Sequence, residues 1–148
     1  MEAPKQITPA GLADYFEVLT KAVFQSGMSW AVIENKWDGF REAFHGFDPE
    51  RVAALTPEKV AALEEDTRIV RNKRKIWATV DNADALLALD RDTDGGFAAW
   101  LGAQGDFEET VRALRDRFAF LGDFGAYYFL YVVRQPVPSH EDFRASRA

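Results

Sequence analysis

An all-α fold is what this sequence predicts, and three observations predict it. Trp30, Ile33, Trp37, Phe40 and Phe44 step by three and four, the spacing that lines one face of a helix with apolar side chains. A capping residue followed by proline recurs at Thr8-Pro9, Asp48-Pro49 and Thr56-Pro57; proline suits a first helical position because its missing N–H would have no partner there. No stretch reads as a strand. At 148 residues the chain is expected to form one domain, residues 1–148, around one core.

Taken in order, Leu12, Tyr15, Phe16, Leu19, Ala22 and Val23 predict a first helix that starts at Thr8-Pro9 and runs to about Phe24. The loop Gln25-Ser26-Gly27-Met28-Ser29-Trp30 follows. Gly27 permits a turn that a side chain would resist, Ser29 is expected to cap the helix beginning at Trp30, and Gln25 and Met28 are expected to project outward. Such a loop is either a plain helix connection or a wedge that enters a base stack. Asp48 and Thr56 then open two short helices, with Val52 and Leu55 in the first and Val60 and Leu63 in the second.

A long helix is expected over residues 70–89, with Ile76, Val80, Ala83 and Leu87 inward. A short one carries Phe97, Trp100 and Leu101. Asp106 and Glu109 form an acidic capping box for a helix through Val111, Leu114 and Phe118. Phe120-Leu121-Gly122-Asp123-Phe124-Gly125 then places two glycines three apart, a tight hairpin whose amides suit a phosphate. An apolar helix over residues 126–133 ends at Pro136 and Pro138, and residues 139–148 are expected to be polar and partly disordered.

The composition narrows the function classes. An apolar fraction of 47% with 28% charged residues is that of a soluble globule, no apolar run reaches membrane length, and residues 1–8 carry no leader-like stretch. With no cysteine there is no disulfide, thiolate metal site or cysteine nucleophile, which suits the cytoplasm, and two histidines, His45 and His140, make a multi-histidine metal site unexpected. A net charge of −6 argues against a nucleic-acid partner, because lysine and arginine drive phosphate binding. One dense basic run, Arg68, Arg71, Lys73, Arg74 and Lys75, argues the other way. It is either a solvated helix face or an anion contact, and cations near a helix start oppose the macrodipole, which favours the contact.

Four blocks of residues carry a resemblance to a known family. They are Phe16-Glu17 with Gln25-Ser26-Gly27-Met28-Ser29-Trp30; Lys36, Phe40-Arg41 and Ala43-Phe44; Phe47-Asp48-Pro49 with Val52-Ala53; and Ile69-Val70-Arg71-Asn72, Lys75-Ile76, Ala78 and Asn82-Ala83. In this order they resemble the DNA-3-methyladenine glycosylase I family, within the helix-hairpin-helix DNA glycosylases. The likeness runs over residues 15–83 and resumes over residues 117–130, where Phe118-Ala119-Phe120-Leu121-Gly122 occupies the family's hairpin. It implies a helix-hairpin-helix DNA glycosylase-like bundle acting on double-stranded DNA that contains a damaged base, with Gln25, Gly27 and Met28 as wedge, Trp30 stacking on the base, and Gly122 and Gly125 on the backbone. Arg71, Lys73 and Lys75 would add charge.

Departures from the family are equally specific. A glutamate eight residues before the loop tryptophan contacts the base in the family, and that position here is Ala22. Ala22 and Phe16 would therefore border a changed base pocket. The family's N-terminal segment, with a base-stacking tyrosine and part of a zinc site, has no counterpart, and the zinc cysteines are absent, so no metal or cofactor is expected. The wider superfamily resembles this chain in placing an aspartate beyond the hairpin helix; His140, Glu141 and Asp142 lie in that region and are the weak catalytic candidates, with an exposed tail as the alternative. Asp123 reads as a turn residue and His45 as solvent-facing or capping. The expected activity is excision of alkylated purines such as 3-methyladenine by a monomer with no membrane contact; the alternative is a non-catalytic relative that recognises damaged or distorted DNA.

Overall fold

The computed structural model describes residues 3–148. Among them the chain is helical throughout, with α1 (Leu12–Gln25), α2 (Trp30–Ala43), a 3-10 turn (His45–Phe47), α3 (Pro49–Ala53), α4 (Pro57–Leu63), α5 (Lys73–Asp92), α6 (Gly96–Gly102), α7 (Phe107–Arg117), α8 (Asp123–Val132) and α9 (His140–Ser146). The long α5 runs through the middle and packs on α1, α3, α4 and α6, while α8 lies across α1 and beside α7. No helix is long and apolar enough to cross a membrane.

The aromatic stripe of α2 forms the core as its spacing requires. Trp37 stacks on Phe40 at 4.9 Å and on Phe47 at 5.2 Å, and Phe24 of α1 meets Phe40 edge-on at 4.7 Å. A fully buried phenylalanine contributes about 1.5–3 kcal/mol through apolar burial alone, so this cluster fixes α1 on α2. The Trp37 indole N–H is satisfied by donating to the Glu17 carboxylate at 2.8 Å. The predicted caps form at Asp48, Thr56 and Asp106; the Asp106–Glu109 box has both of its reciprocal hydrogen bonds.

Several boundaries differ from expectation. Thr8-Pro9 does not open α1. The helix starts at Leu12 after an extended Gly11, and the Asp14 carboxylate reaches back to accept the Ala10 N–H at 2.8 Å. Ser29 occupies the cap position of α2 without a side-chain cap bond, and its carbonyl accepts from Ile33 instead. α5 begins at Lys73 rather than residue 70 because Asn72 caps it, accepting the Lys75 N–H at 3.1 Å. Phe118 leaves α7 as an extended C-cap, and α8 starts three residues earlier than expected, at Asp123. The tail is a helix: the buried ring of Phe143 stacks on Tyr127 at 4.4 Å and meets Phe124 and Phe107 edge-on, which docks α9 on α7 and α8.

Candidate nucleic-acid interface

Two connections, the loop from α1 to α2 and the hairpin from α7 to α8, come together on one side of the molecule. Ser26 of the loop and Phe120, Leu121 and Gly122 of the hairpin line a single cleft of about 820 Å³, with Arg112 and Arg115 of α7 and Arg147 beyond α9. Glu108, Asp116 and Asp123 share the walls of the cleft, so attraction of a phosphate there falls to the backbone amides and to a guanidinium without an acidic partner. Arg115 and Arg147 are engaged by Asp123, at 2.7 and 3.0 Å, and Arg147 also by Glu108. Arg112 has no acidic partner among the described residues.

The loop is held from beneath by Lys75. Its ammonium donates to the carbonyl of Phe24 at 3.3 Å and to that of Ser26, and burial holds it below the ordinary lysine range. Gly27 takes a left-handed φ of +72°, as its place in the turn requires, and the Met28 N–H closes the turn onto the Gln25 carbonyl at 3.0 Å. Ser26 and Gly27 are exposed and Met28 is half-buried. Trp30 is 43% exposed and meets Tyr128 of α8 edge-on at 5.5 Å. The Tyr128 phenol is pushed up to about 12, by burial first and then by the charge of Glu34, with hydrogen bonding to Gln25 acting against both, so it stays protonated at neutral pH.

The hairpin is held by Asn82, also from α5. Its amide accepts from the Ala119 N–H at 2.8 Å and donates to the Ala119 carbonyl at 3.1 Å. The next residue, Phe120, is exposed and sits at φ +58°, a conformation an L residue adopts at a cost of about 1–2 kcal/mol. Gly122 is the exposed N-cap of α8, and its N–H has no acceptor among the described residues. Gly125 stands in the first turn, where amides point back along the helix axis. A methyl group there would stand 3.6 Å from the Ala22 carbonyl oxygen and 3.1 Å from Leu121, so Gly125 also sets how closely α8 approaches α1.

Several expectations are corrected by this geometry. Lys75 is not a DNA-backbone contact, because its charge is spent inward on two loop carbonyls. Gln25 does not project as a wedge: it is 5% exposed, with Oε1 buried and unpartnered, because the last turn of α1 points it beneath the loop. Phe16 presents no surface to a base, since its ring is fully buried edge-on to Phe47. Ala22 is 2% exposed under α8 and borders no open pocket. Arg71 and Lys73 are exposed but do not line the cleft, and Lys73 faces Glu64 at 3.9 Å. His140, Glu141 and Asp142 are exposed on the first turn of α9 and do not line it either; His140 lies beside Tyr127. Asp123 is more than a turn residue, being the carboxylate that pins Arg115 and Arg147.

Arg112 and Asn82 are what sequence reasoning missed. Arg112 was hidden in an ordinary charged helix; Asn82 had a visible signal, a polar residue two turns after Lys75 on a face whose neighbours are apolar. His45 is half-buried, and its imidazole is held below the usual range by burial and then by Arg51, Lys59 and Arg68, which leaves it neutral in a basic setting.

A loop and a hairpin on one cleft, carried by an all-helical bundle, define a protein of the helix-hairpin-helix glycosylase fold. The methyladenine glycosylase family matches residues 9–130, and the chain belongs to that family. DNA-3-methyladenine glycosylase 1 of Escherichia coli K12 is 38% identical over 77 residues, 52% of this chain and 41% of that protein. The DNA-3-methyladenine glycosylase of Haemophilus influenzae is 36% identical over 76 residues, 51% of this chain and 41% of that one. The matched segment thus spans less than half the length of these curated relatives. A crystal structure of 3-methyladenine DNA glycosylase I superposes with a TM-score of 0.74 at 27% identity, covering 86% of this chain and 81% of that one. The Staphylococcus aureus enzyme gives 0.76 at 24% identity over 87% and 79%, a likeness of fold.

Proposed function

We propose that this chain is a DNA glycosylase that excises alkylated purines such as 3-methyladenine from double-stranded DNA, opening base excision repair. The observation that carries this reading is the meeting of loop and hairpin on one side of the molecule: Ser26 and Gly122 line one cleft, while Met28 and Trp30 follow Ser26 outside it, with Trp30 against Tyr128 of α8. Extruding a nucleotide costs a few kcal/mol, which inserted side chains and phosphate contacts repay. Met28, with Gly27 giving it room, fills the gap left in the stack. The Gly122 and Gly125 amides and the Arg112 guanidinium hold the backbone, and Trp30 offers its exposed ring to the extruded base. Arg71 adds long-range attraction outside the cleft.

The chemistry asks little of the protein. Water adds to the sugar C1′ as the bond from C1′ to the base nitrogen breaks. The bonding pair moves onto the base and cancels its positive charge, and the water's proton is lost to solvent. An alkylated purine is a good leaving group, so selection of the base matters more than acid catalysis. The reading includes a cytoplasmic monomer of one domain, residues 1–148.

A second reading, a DNA-binding relative without excision, is favoured by one observation: Ala22 stands where the family has its base-contacting glutamate, and His140, Glu141 and Asp142 lie outside the cleft. Release of free base from duplex DNA treated with a methylating agent decides between them. The glycosylase reading expects release of 3-methyladenine, lost by about a hundredfold or more in Trp30→Ala while duplex affinity changes by less than about threefold. The half-exposed position of Trp30 makes the variant tolerable to the fold. No release by protein that still binds the duplex would establish the second reading.

A further inference from the structure

Two phenylalanines of this fold carry a left-handed backbone, Phe47 at φ +59° and Phe120 at φ +58°. Phe47 has a packing reason, since its ring is fully buried and stacks on Trp37 at 5.2 Å. Phe120 has no such reason: its ring is 48% exposed, stands outside the apolar core and lines the cleft two residues before Gly122. Phe118 and Phe124 to either side meet the rings of Phe97 and Phe143, whereas Phe120 meets no other ring among the described residues. The strained turn, held by the Asn82 clasp on Ala119, therefore keeps an apolar ring in the cleft beside the free Gly122 amide.

A DNA strand offers the matching alternation, because each phosphate is flanked by a deoxyribose whose C2′ carries only hydrogen. We propose that Phe120 packs on the deoxyribose next to the phosphate held at Gly122, and that it is the residue by which the cleft selects deoxyribose over ribose. A 2′-hydroxyl in that place loses its water to a ring that offers no hydrogen bond in return. The sugar contact rests on the reading of the cleft as a DNA-backbone site, which the glycosylase and the non-catalytic binder share.

The test measures the affinity of the full chain for a DNA duplex in which one tetrahydrofuran residue, an abasic analogue, fixes the register and a single ribonucleotide is walked along each strand. The all-deoxy duplex is the reference. One or two adjacent positions should weaken binding about tenfold, the loss expected for one buried hydroxyl without a partner. At those positions 2′-fluoro, which shares the ribose pucker without the hydroxyl, should weaken binding less than about twofold. Phe120→Asn and Phe120→Gly both accept a left-handed φ; they should lose the ribose penalty and unfold at no lower temperature than the unaltered protein. A penalty at no position, one shared by 2′-fluoro, one that survives in both variants, or unfolding lowered by more than about 5 °C in both would each overturn the contact. Failure of the unaltered protein to bind the all-deoxy duplex would remove the DNA reading of the cleft as well. Binding without sugar preference would leave that reading standing and remove the sugar contact alone.

Discussion

The chain turns a corner twice against α5, at residues 26–29 and at residues 118–122, and different chemistry fixes the two corners. Beneath the loop, Lys75 donates to two carbonyls and accepts nothing. Beneath the hairpin, Asn82 satisfies both the N–H and the carbonyl of one residue, Ala119. Lys75 and Asn82 stand seven residues apart, two turns along one buried face of α5, with Thr79 between them bonded back to the Lys75 carbonyl. An amide that both gives and takes locks a peptide's orientation, which is what a residue at positive φ such as Phe120 needs in order to persist. An ammonium fixes where the loop carbonyls lie and leaves the tip, Gly27 and Met28, to its own turn. The hairpin is thus built to hold and the loop to yield.

Loss of the hairpin clasp is the larger of two expected effects on stability. Asn82→Leu leaves a donor and an acceptor of Ala119 without partners, and at about 1–3 kcal/mol for each buried group the variant should lose about 3 kcal/mol in urea denaturation. Lys75→Met strands two carbonyls but also removes a desolvated charge, so the loss should be smaller, about 1–2 kcal/mol. The sign of its pH dependence follows from the lowered folded pKa. At neutral pH both folded and unfolded chains carry the proton and the deficit is flat. As pH rises through the folded value toward about 10.4, the unfolded chain holds the proton longer, so the lysine protein gains stability and the deficit widens. A Lys75→Met deficit larger than that of Asn82→Leu, or one that narrows with rising pH, would break the contrast between the clasps.

Much of this arrangement was legible in the sequence, and the parts that were not share a cause. The α2 stripe and the caps at Asp48, Thr56 and Asp106 are local signals, and they formed where local chemistry places them. Lys75 looked like the last member of a basic run because charge is read along the chain, whereas its direction is set by the helix that begins at Lys73. Its spacing to Thr79, Asn82 and Leu86 marks the inward face. Gln25 is expected to project because it borders a loop, and Ala22, one turn earlier on the apolar stripe of α1, to border a base pocket because the family's glutamate stands there; instead Gln25 is buried and α8, arriving a hundred residues later, closes over Ala22. The tail reads as polar and partly disordered because Phe143 is a single aromatic among polar residues, and one ring reveals a docked helix only once Tyr127 and Phe107 are in place.

If the loop yields and the hairpin holds, the two should separate in kinetics. The measurement that asks this most directly is single-turnover release of 3-methyladenine from methylated duplex, with duplex affinity read on the same protein, for Met28→Ala and for Gly122→Pro, which deletes the free amide at the hairpin. The account predicts that Met28→Ala slows release about tenfold or more with affinity changed less than about threefold, and that Gly122→Pro weakens affinity about tenfold with release at saturation nearly unchanged. Two variants that lower affinity and release in the same proportion, or unaltered protein that binds the methylated duplex and releases nothing, would contradict it.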